Sequence, residues 1–241
     1  MRNQHSLEEI AEIHRLLEDI KGEYEQGIRA VLQKNNPTLF GNPHTIPKLK
    51  KIQINRGLGL AAQNTNILKK SIAEFTAITG QKPVITKAKK AIAGFKIRDD
   101  MELGLTVTLR GAKMYAFLTK LIFFTFAQIR DFRGLSVRNF DKAGNYTFGL
   151  KEQLIFPEID YEDVDQAQGF SITLVLSSSL PKSRATTMDR VLNGMILFKF
   201  LRFPLNDSGY YDKYSSFSEI NQVWDRKKHL KRKILPEASL E

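Results

Sequence analysis

The chain has 241 residues, 42% of them apolar and 10% aromatic, which suffices for one large or two small cored domains and excludes wholesale disorder. It has no cysteine, so disulfides, thiolate metal sites and cysteine nucleophiles are excluded, and its four histidines (His5, His14, His44, His229) include no pair at metal-ligand spacing. The net charge of +11 is uneven: residues 31–150 carry +14 and residues 151–180 carry −5, a separation that points to a polyanionic partner.

Ser6 and Glu9 match a capping box, and Ile10, Ile13, Leu17, Ile20 and Tyr24 recur at helical spacing, which predicts an N-terminal helix or helix pair up to about Gln33. The stretch NNPTLFGNPHTIP is a loop, because its prolines and glycine forbid a regular element. From Lys51 the pattern alternates, Ile52 and Ile54 on one face, Lys51, Gln53 and Asn55 on the other, which predicts a half-buried strand. After the turn RGLGLAA, Asn64 caps a helix with the stripe Leu68, Ile72, Phe75 and Ile78, stopped by Gly80. PVIT is a short strand.

A basic loop, ITKAKKAIAGFKIRDD, follows and gathers Lys87, Lys89, Lys90, Lys96 and Arg98 around Phe95, with Gly94 beside it. A second alternation places Leu103, Leu105, Val107 and Leu109 inward and Thr106, Thr108 and Arg110 outward. Residues 111–130 read as a helix buried through Met114, Phe117, Leu121, Phe124 and Ile129. Strands are expected at YTFGL, QLIF and FSITLVLS, and a last helix from Arg184 to Leu201. The longest apolar run, AFLTKLIFFTFAQI, is broken by Lys120 and is shorter than the roughly 20 residues of a bilayer span.

Helices mixed with alternating strands predict an α+β domain, its sheet covered by helices on one face and open on the other, where Lys51, Gln53, Asn55, Thr106, Thr108 and Arg110 would lie. A competing reading is enzymatic. Gly57, Gly59 and Ala62 satisfy G-x-G-x-x-A between a strand and a helix, as in a dinucleotide site. No acidic residue closes the next strand, so only NADP would fit, its 2′-phosphate on Lys87 or Lys89; the alternating strands count against the parallel sheet this needs. Glu158, Asp160, Glu162, Asp163 and Asp165 match no metal loop and read as a solvated segment, turned away from nucleic acid or toward a basic protein.

The blocks KLKKIQINRGLG, ITGQKPVITKAKKAIAGFKIRDDMELGLTVTLRG and IRDFRGLSVRNFDKAGNYTFGLKEQLIFPEIDY together resemble the bacterial and plastid large-subunit ribosomal protein that binds 5S ribosomal RNA, universal protein five of the large subunit. The likeness covers about residues 24–205, leaving 1–23 as an N-terminal helical extension and 206–241 as a basic C-terminal one. It implies a non-enzymatic structural protein without cofactor or metal, at the central protuberance, with 5S and large-subunit ribosomal RNA, peptidyl-site transfer RNA, a small-subunit head protein across an intersubunit bridge and other ribosomal proteins as partners. The family's 5S contacts map onto Asn55, Gln81 and Thr108, with Lys51, Thr86 and Arg110 as neighbours. The loop that approaches transfer RNA in the family maps onto Ala91 to Arg98, with Lys89, Lys90, Ala91, Gly94, Phe95, Lys96 and Arg98 as its candidate contacts. INRGLG and QLIFPEIDY resemble cyanobacterial and plastid versions; with both extensions and an acidic start unlike an Arg-rich import leader, they predict a plastid ribosomal protein, the alternative being a bacterial cytoplasm. In the C-terminal extension, Trp224 and the run Arg226–Lys233 read as a segment packed on ribosomal RNA or unstructured.

Overall fold

A computed structural model of the chain describes residues 46–206, apart from 60–63, 160, 162, 163, 165 and 178–186. The chain divides at Leu205/Asn206 into two units, and nearly all the described residues belong to the first. The expected N-terminal helix, Trp224 and Arg226–Lys233 lie outside the described residues.

Strand β1 (Lys48–Gly57) buries Ile52 and Ile54 and turns Lys51, Gln53 and Asn55 outward, as its alternation requires. Helix α1 (Thr65–Thr79) starts at Asn64, whose side chain accepts the Asn66 N–H at 3.1 Å. It ends at Gly80, whose left-handed φ of 62° lets its N–H reach the Thr76 carbonyl at 2.9 Å. β2 (Val84–Lys87), β3 (Glu102–Leu109), β5 (Tyr146–Leu150) and β6 (Phe170–Ser177) join β1 in a five-stranded sheet of order β2-β3-β1-β6-β5, with every neighbouring pair antiparallel. β4 (Leu135–Ser136) and β7 (Leu205–Asn206) form a separate two-stranded pair.

The inner face of the sheet carries Ile52, Ile54, Leu105, Val107, Leu109, Tyr146, Phe148, Ile172 and Leu174, all buried. Buried with them are Leu68, Phe75 and Ile78 of α1, Met114, Phe117 and Leu118 of α2 (Gly111–Lys120), and Met195 to Phe198 of α3 (Thr187–Phe200). Each such side chain contributes about 1.5–3 kcal/mol by leaving water. Tyr146, Phe198 and Phe203 form an aromatic cluster with centroids 5.2 to 5.9 Å apart. The fold is therefore α+β with a mainly antiparallel sheet, as expected.

Three local expectations are corrected. After α2 the helix continues through a π turn, Leu121–Thr125, in which the Phe126 N–H bonds to the Leu121 carbonyl five residues back. The extra residue rotates the buried face by one position, so Thr125 and Phe126 are buried in place of Phe124 and Ile129. The stretch QLIF is a 3₁₀ turn, Gln153–Ile155, and not a strand. Its buried Gln153 amide donates to the Gln166 carbonyl at 2.9 Å and accepts the Gln168 N–H at 2.6 Å, tying down a loop by side chain where a strand would use its backbone. Finally, the dinucleotide reading fails: β1 has antiparallel partners on both sides, whereas that site needs a parallel βαβ crossover.

Candidate nucleic-acid interface

Alternation that buries one side of β1 and β3 leaves the other side polar. Register makes that side one surface: Gln53 lies opposite Thr108, and Asn55 opposite Thr106. The Asn55 side chain is exposed and makes no hydrogen bond to a described residue, nor do the side chains of Lys51, Thr108 and Arg110. Arg110 lies one residue beyond β3 with an extended backbone, exposed, so it continues the outward series.

Gln81 arrives from elsewhere in sequence. The α1 stop at Gly80 turns the chain back, and Thr79 Oγ1 accepts the Gln81 N–H at 3.3 Å. The Gln81 side-chain Nε2 then donates to the Thr108 carbonyl at 3.4 Å, where β3 runs on past the pairing with β2. Asn55, Gln81 and Thr108 thus belong to one patch assembled from β1, the α1–β2 connection and β3. Thr86 lies on β2 opposite Gly104 at the same edge, and an added Cβ at Gly104 would come within 3.0 Å of its hydroxyl.

The basic loop between β2 and β3 closes on itself. The Ala88 N–H donates to the Met101 carbonyl at 2.8 Å, and Ile92 and Ile97 exchange backbone bonds at 2.9 and 3.1 Å. Between them, Ala93–Phe95 forms a single 3₁₀ turn. Lys89, Lys90, Ala91, Gly94, Phe95, Lys96 and Arg98 are all exposed, and Phe95 retains 71% of its surface. The reversal at the tip is made by Lys96, with φ 53°, and not by Gly94, whose φ is not in the left-handed region. An added Cβ at Gly94 would meet nothing within 4 Å, so the fold does not require a glycine there.

Sequence reasoning missed Arg56. It follows Asn55 on β1, so it points inward, and it is fully buried. Its Nη1 pairs with Glu74 Oε2 at 2.6 Å, and its guanidinium lies 4.6 Å from the Phe75 ring centroid and 5.5 Å from that of Phe170. Burial holds its pKa below the ordinary arginine value, while the hydrogen bond and charge of Glu74 act the other way. The alternation around Ile52 and Ile54 already assigned position 56 to the core side; the paired Glu74, eighteen residues on, was the missing signal.

Of the acidic stretch, Glu158 forms an ion pair with Lys120, which also donates to the Ile78 carbonyl at the end of α1, so this carboxylate lies on the helix-covered side. Among the described residues no cluster of His, Asp and Glu could hold a metal, and no helix is long and apolar enough to cross a membrane.

Two family models match in succession: ribosomal protein L5 over residues 42–98, and the C-terminal region of the same ribosomal family over residues 102–203. Among curated relatives, the "Large ribosomal subunit protein uL5c" of Trieres chinensis is 88% identical over 97% of this chain and 98% of its own. The proteins of the same name from Thalassiosira pseudonana and Phaeodactylum tricornutum are 81% and 76% identical over the same shares. The chain belongs to the ribosomal L5 family, non-enzymatic structural constituents of the large ribosomal subunit, in its plastid branch.

Proposed function

We propose that this chain holds 5S ribosomal RNA on the open face of its sheet and extends the β2–β3 loop toward the peptidyl-site transfer RNA. The observation that carries the reading is the convergence of Asn55, Gln81 and Thr108, from three separate segments, on one patch of the sheet face turned away from the described helices, with Lys51, Thr86 and Arg110 beside it. RNA presents phosphates, 2′-hydroxyls and unpaired base edges. Short amide and hydroxyl groups on a fixed sheet can bond these in one orientation, while the lysines and arginines neutralise phosphates and supply most of the affinity.

The loop suits a second RNA contact. Its hydrogen bonds fix its own shape, so Phe95 and the flanking cations are presented without a large ordering cost on binding. An exposed aromatic can stack on a base or ribose, and the bare backbone at Gly94 permits close approach. On this reading the chain sits at the central protuberance, with large-subunit ribosomal RNA, other ribosomal proteins and a small-subunit head protein around it.

Binding of the full chain to a 5S transcript, titrated against salt, tests this. Affinity is expected to fall steeply between about 50 and 200 mM salt. Thr108→Val removes one hydrogen bond, worth about 1 kcal/mol or roughly fivefold in affinity, with the salt slope unchanged. Replacing residues 91–98 with a short glycine linker is expected to spare 5S binding and weaken transfer RNA retention, since the Ala88–Met101 closure of the loop lies outside the excision. Salt-independent affinity, or loss of 5S binding on loop excision, refutes the division of labour.

A further inference from the structure

The apolar face of the sheet does not end where the core closes. Leu58, Leu68 and Leu105 form a buried cluster with Ile72 and Ile85 packed against it, and the half-buried Leu103 lies two residues before Leu105 on the same face of β3. From Leu103 the apolar surface runs on into the basic loop as an open groove of about 410 Å³, lined by Gly59, Phe95, Ile97, Met101 and Leu103, with Gly94 and Lys96 completing its wall. The groove thus opens on the core side of the sheet, away from the polar face of Asn55 and Thr108. Phe95 and its neighbour Ile92 remain 71% and 48% exposed. An added Cβ at Gly59 or Gly94 would meet nothing within 4 Å, so backbone alone forms part of the wall and leaves the groove wide. Clustered exposed apolar residues around a concavity of this size mark a binding surface.

Charge narrows the occupant. Between Lys87 and Asp100 five cations stand against two carboxylates, Asp99 and Asp100, and among the described residues Lys89, Lys90, Lys96 and Arg98 make no ion pair. A fitting segment is apolar on one side and acidic beside it. Residues 6–24 have that pattern. Ile10, Ile13, Leu17 and Ile20 recur at the spacing by which an amphipathic helix lays anchors into a groove, and six carboxylates stand against Arg15 and Lys21. The open face of the sheet also attracts carboxylates, but its hydroxyl and amide side chains offer nothing to four aliphatic ones.

The connecting chain is long enough. Measured along β1 at about 3.3 Å per residue, Ile46 lies roughly 36 Å from Gly57, beside the groove. Residues 25–45 reach about 50 Å even with 25–33 helical, as the sequence predicts.

We infer that this groove receives the chain's own acidic N-terminal segment, Ser6 to Tyr24, with Ile10, Ile13, Leu17 and Ile20 against Phe95, Ile97, Met101 and Leu103 and its carboxylates beside the loop cations. Tethering gives the segment an effective concentration on the order of millimolar, so a weak contact suffices. Docked there, it covers Phe95 and Lys96, and any partner of the loop tip has to displace it. The docking itself is independent of the RNA contacts proposed above.

The test uses the full chain, whose lack of cysteine lets single introduced thiols report cleanly. Gly94→Cys, where a side chain has room, is labelled with iodoacetamide in the parent background and with Ile13→Asp plus Leu17→Asp. The parent background should label on the order of tenfold more slowly, for a tethered segment docked about nine-tenths of the time. Added salt near 1 M should narrow that gap. On mild oxidation, Leu17→Cys with Gly94→Cys should form a disulfide within one chain, whereas Leu17→Cys with Thr173→Cys on the open face should not. Amide hydrogen exchange over residues 92–103, slower in the cysteine-free parent than in Ile13→Asp plus Leu17→Asp, decides the matter if Gly94→Cys lowers the thermal midpoint. Equal labelling and equal exchange in the two backgrounds overturn the inference. So does a Leu17→Cys disulfide that forms only between two chains, or that forms with Thr173→Cys and not with Gly94→Cys.

Discussion

Glu74→Gln isolates the ion pair beneath strand β1. Arg56 is fully buried and the Glu74 side chain is 12% exposed, so the pair is largely withdrawn from water. Among the described residues Arg56 Nε and Nη2 find no hydrogen-bond partner, which leaves Nη1, bonded to Glu74 at 2.6 Å and to Ser71 Oγ at 3.4 Å, and the rings of Phe75 and Phe170 to compensate the charge. Removing one member of such a pair costs about 3–5 kcal/mol. A glutamine still accepts one hydrogen bond and the aromatic stacking survives, so the expected loss is near the lower end, about 3 kcal/mol. For a domain with about 5–15 kcal/mol of stability that is a large fraction. Urea unfolding followed by far-UV circular dichroism should show a midpoint lowered by about 1–2 M, given a slope near 2 kcal/mol per M. Arg56→Met combined with Glu74→Gln removes both charges and should recover much of the loss. The reasoning is refuted if Glu74→Gln lies within about 0.5 kcal/mol of the parent, or if the double variant loses the sum of the two single losses.

Two other perturbations read different parts of the packing. The buried Tyr146 phenol donates to the Ser136 carbonyl at 2.9 Å, and burial raises its pKa to about 12. Since the folded value lies above the unfolded 10, the stabilisation is complete below pH 10 and is lost as pH rises from 10 to 12; Tyr146→Phe should flatten that alkaline decline in a pH series of denaturation midpoints, at a cost of about 1 kcal/mol at neutral pH. Gly104→Ala should destabilise by about 1–3 kcal/mol in urea unfolding, because its Cβ would fall 2.5 Å from the Arg56 carbonyl oxygen and force β1 and β3 apart; a neutral result would mean the strands slide freely there.

Much of this protein is determined by its sequence alone. Period-two alternation placed β1 and β3 and sorted their residues into a core face and a polar one, and caps at Asn64 and Gly80 bounded α1, because these are local properties of a few consecutive residues. The resemblance to a ribosomal family was likewise legible, since it rests on long runs of consecutive residues. What only tertiary structure decided depends on partners far apart in the chain. The π turn after α2 exchanged Phe124 for Phe126 through a hydrogen-bond shift that no residue pattern announces. Gln153 became the staple of a loop because Gln166 and Gln168 fold over it. Arg56 could enter the core only because α1 brings Glu74 and Phe75 against it. The strand order is the largest case: β6 lies beside β1 across more than a hundred residues, with the Ser171 hydroxyl donating to the Asn55 carbonyl at 3.4 Å. Alternation says which side of each strand faces out, but backbone pairing in three dimensions decides which outward residues become neighbours on one surface.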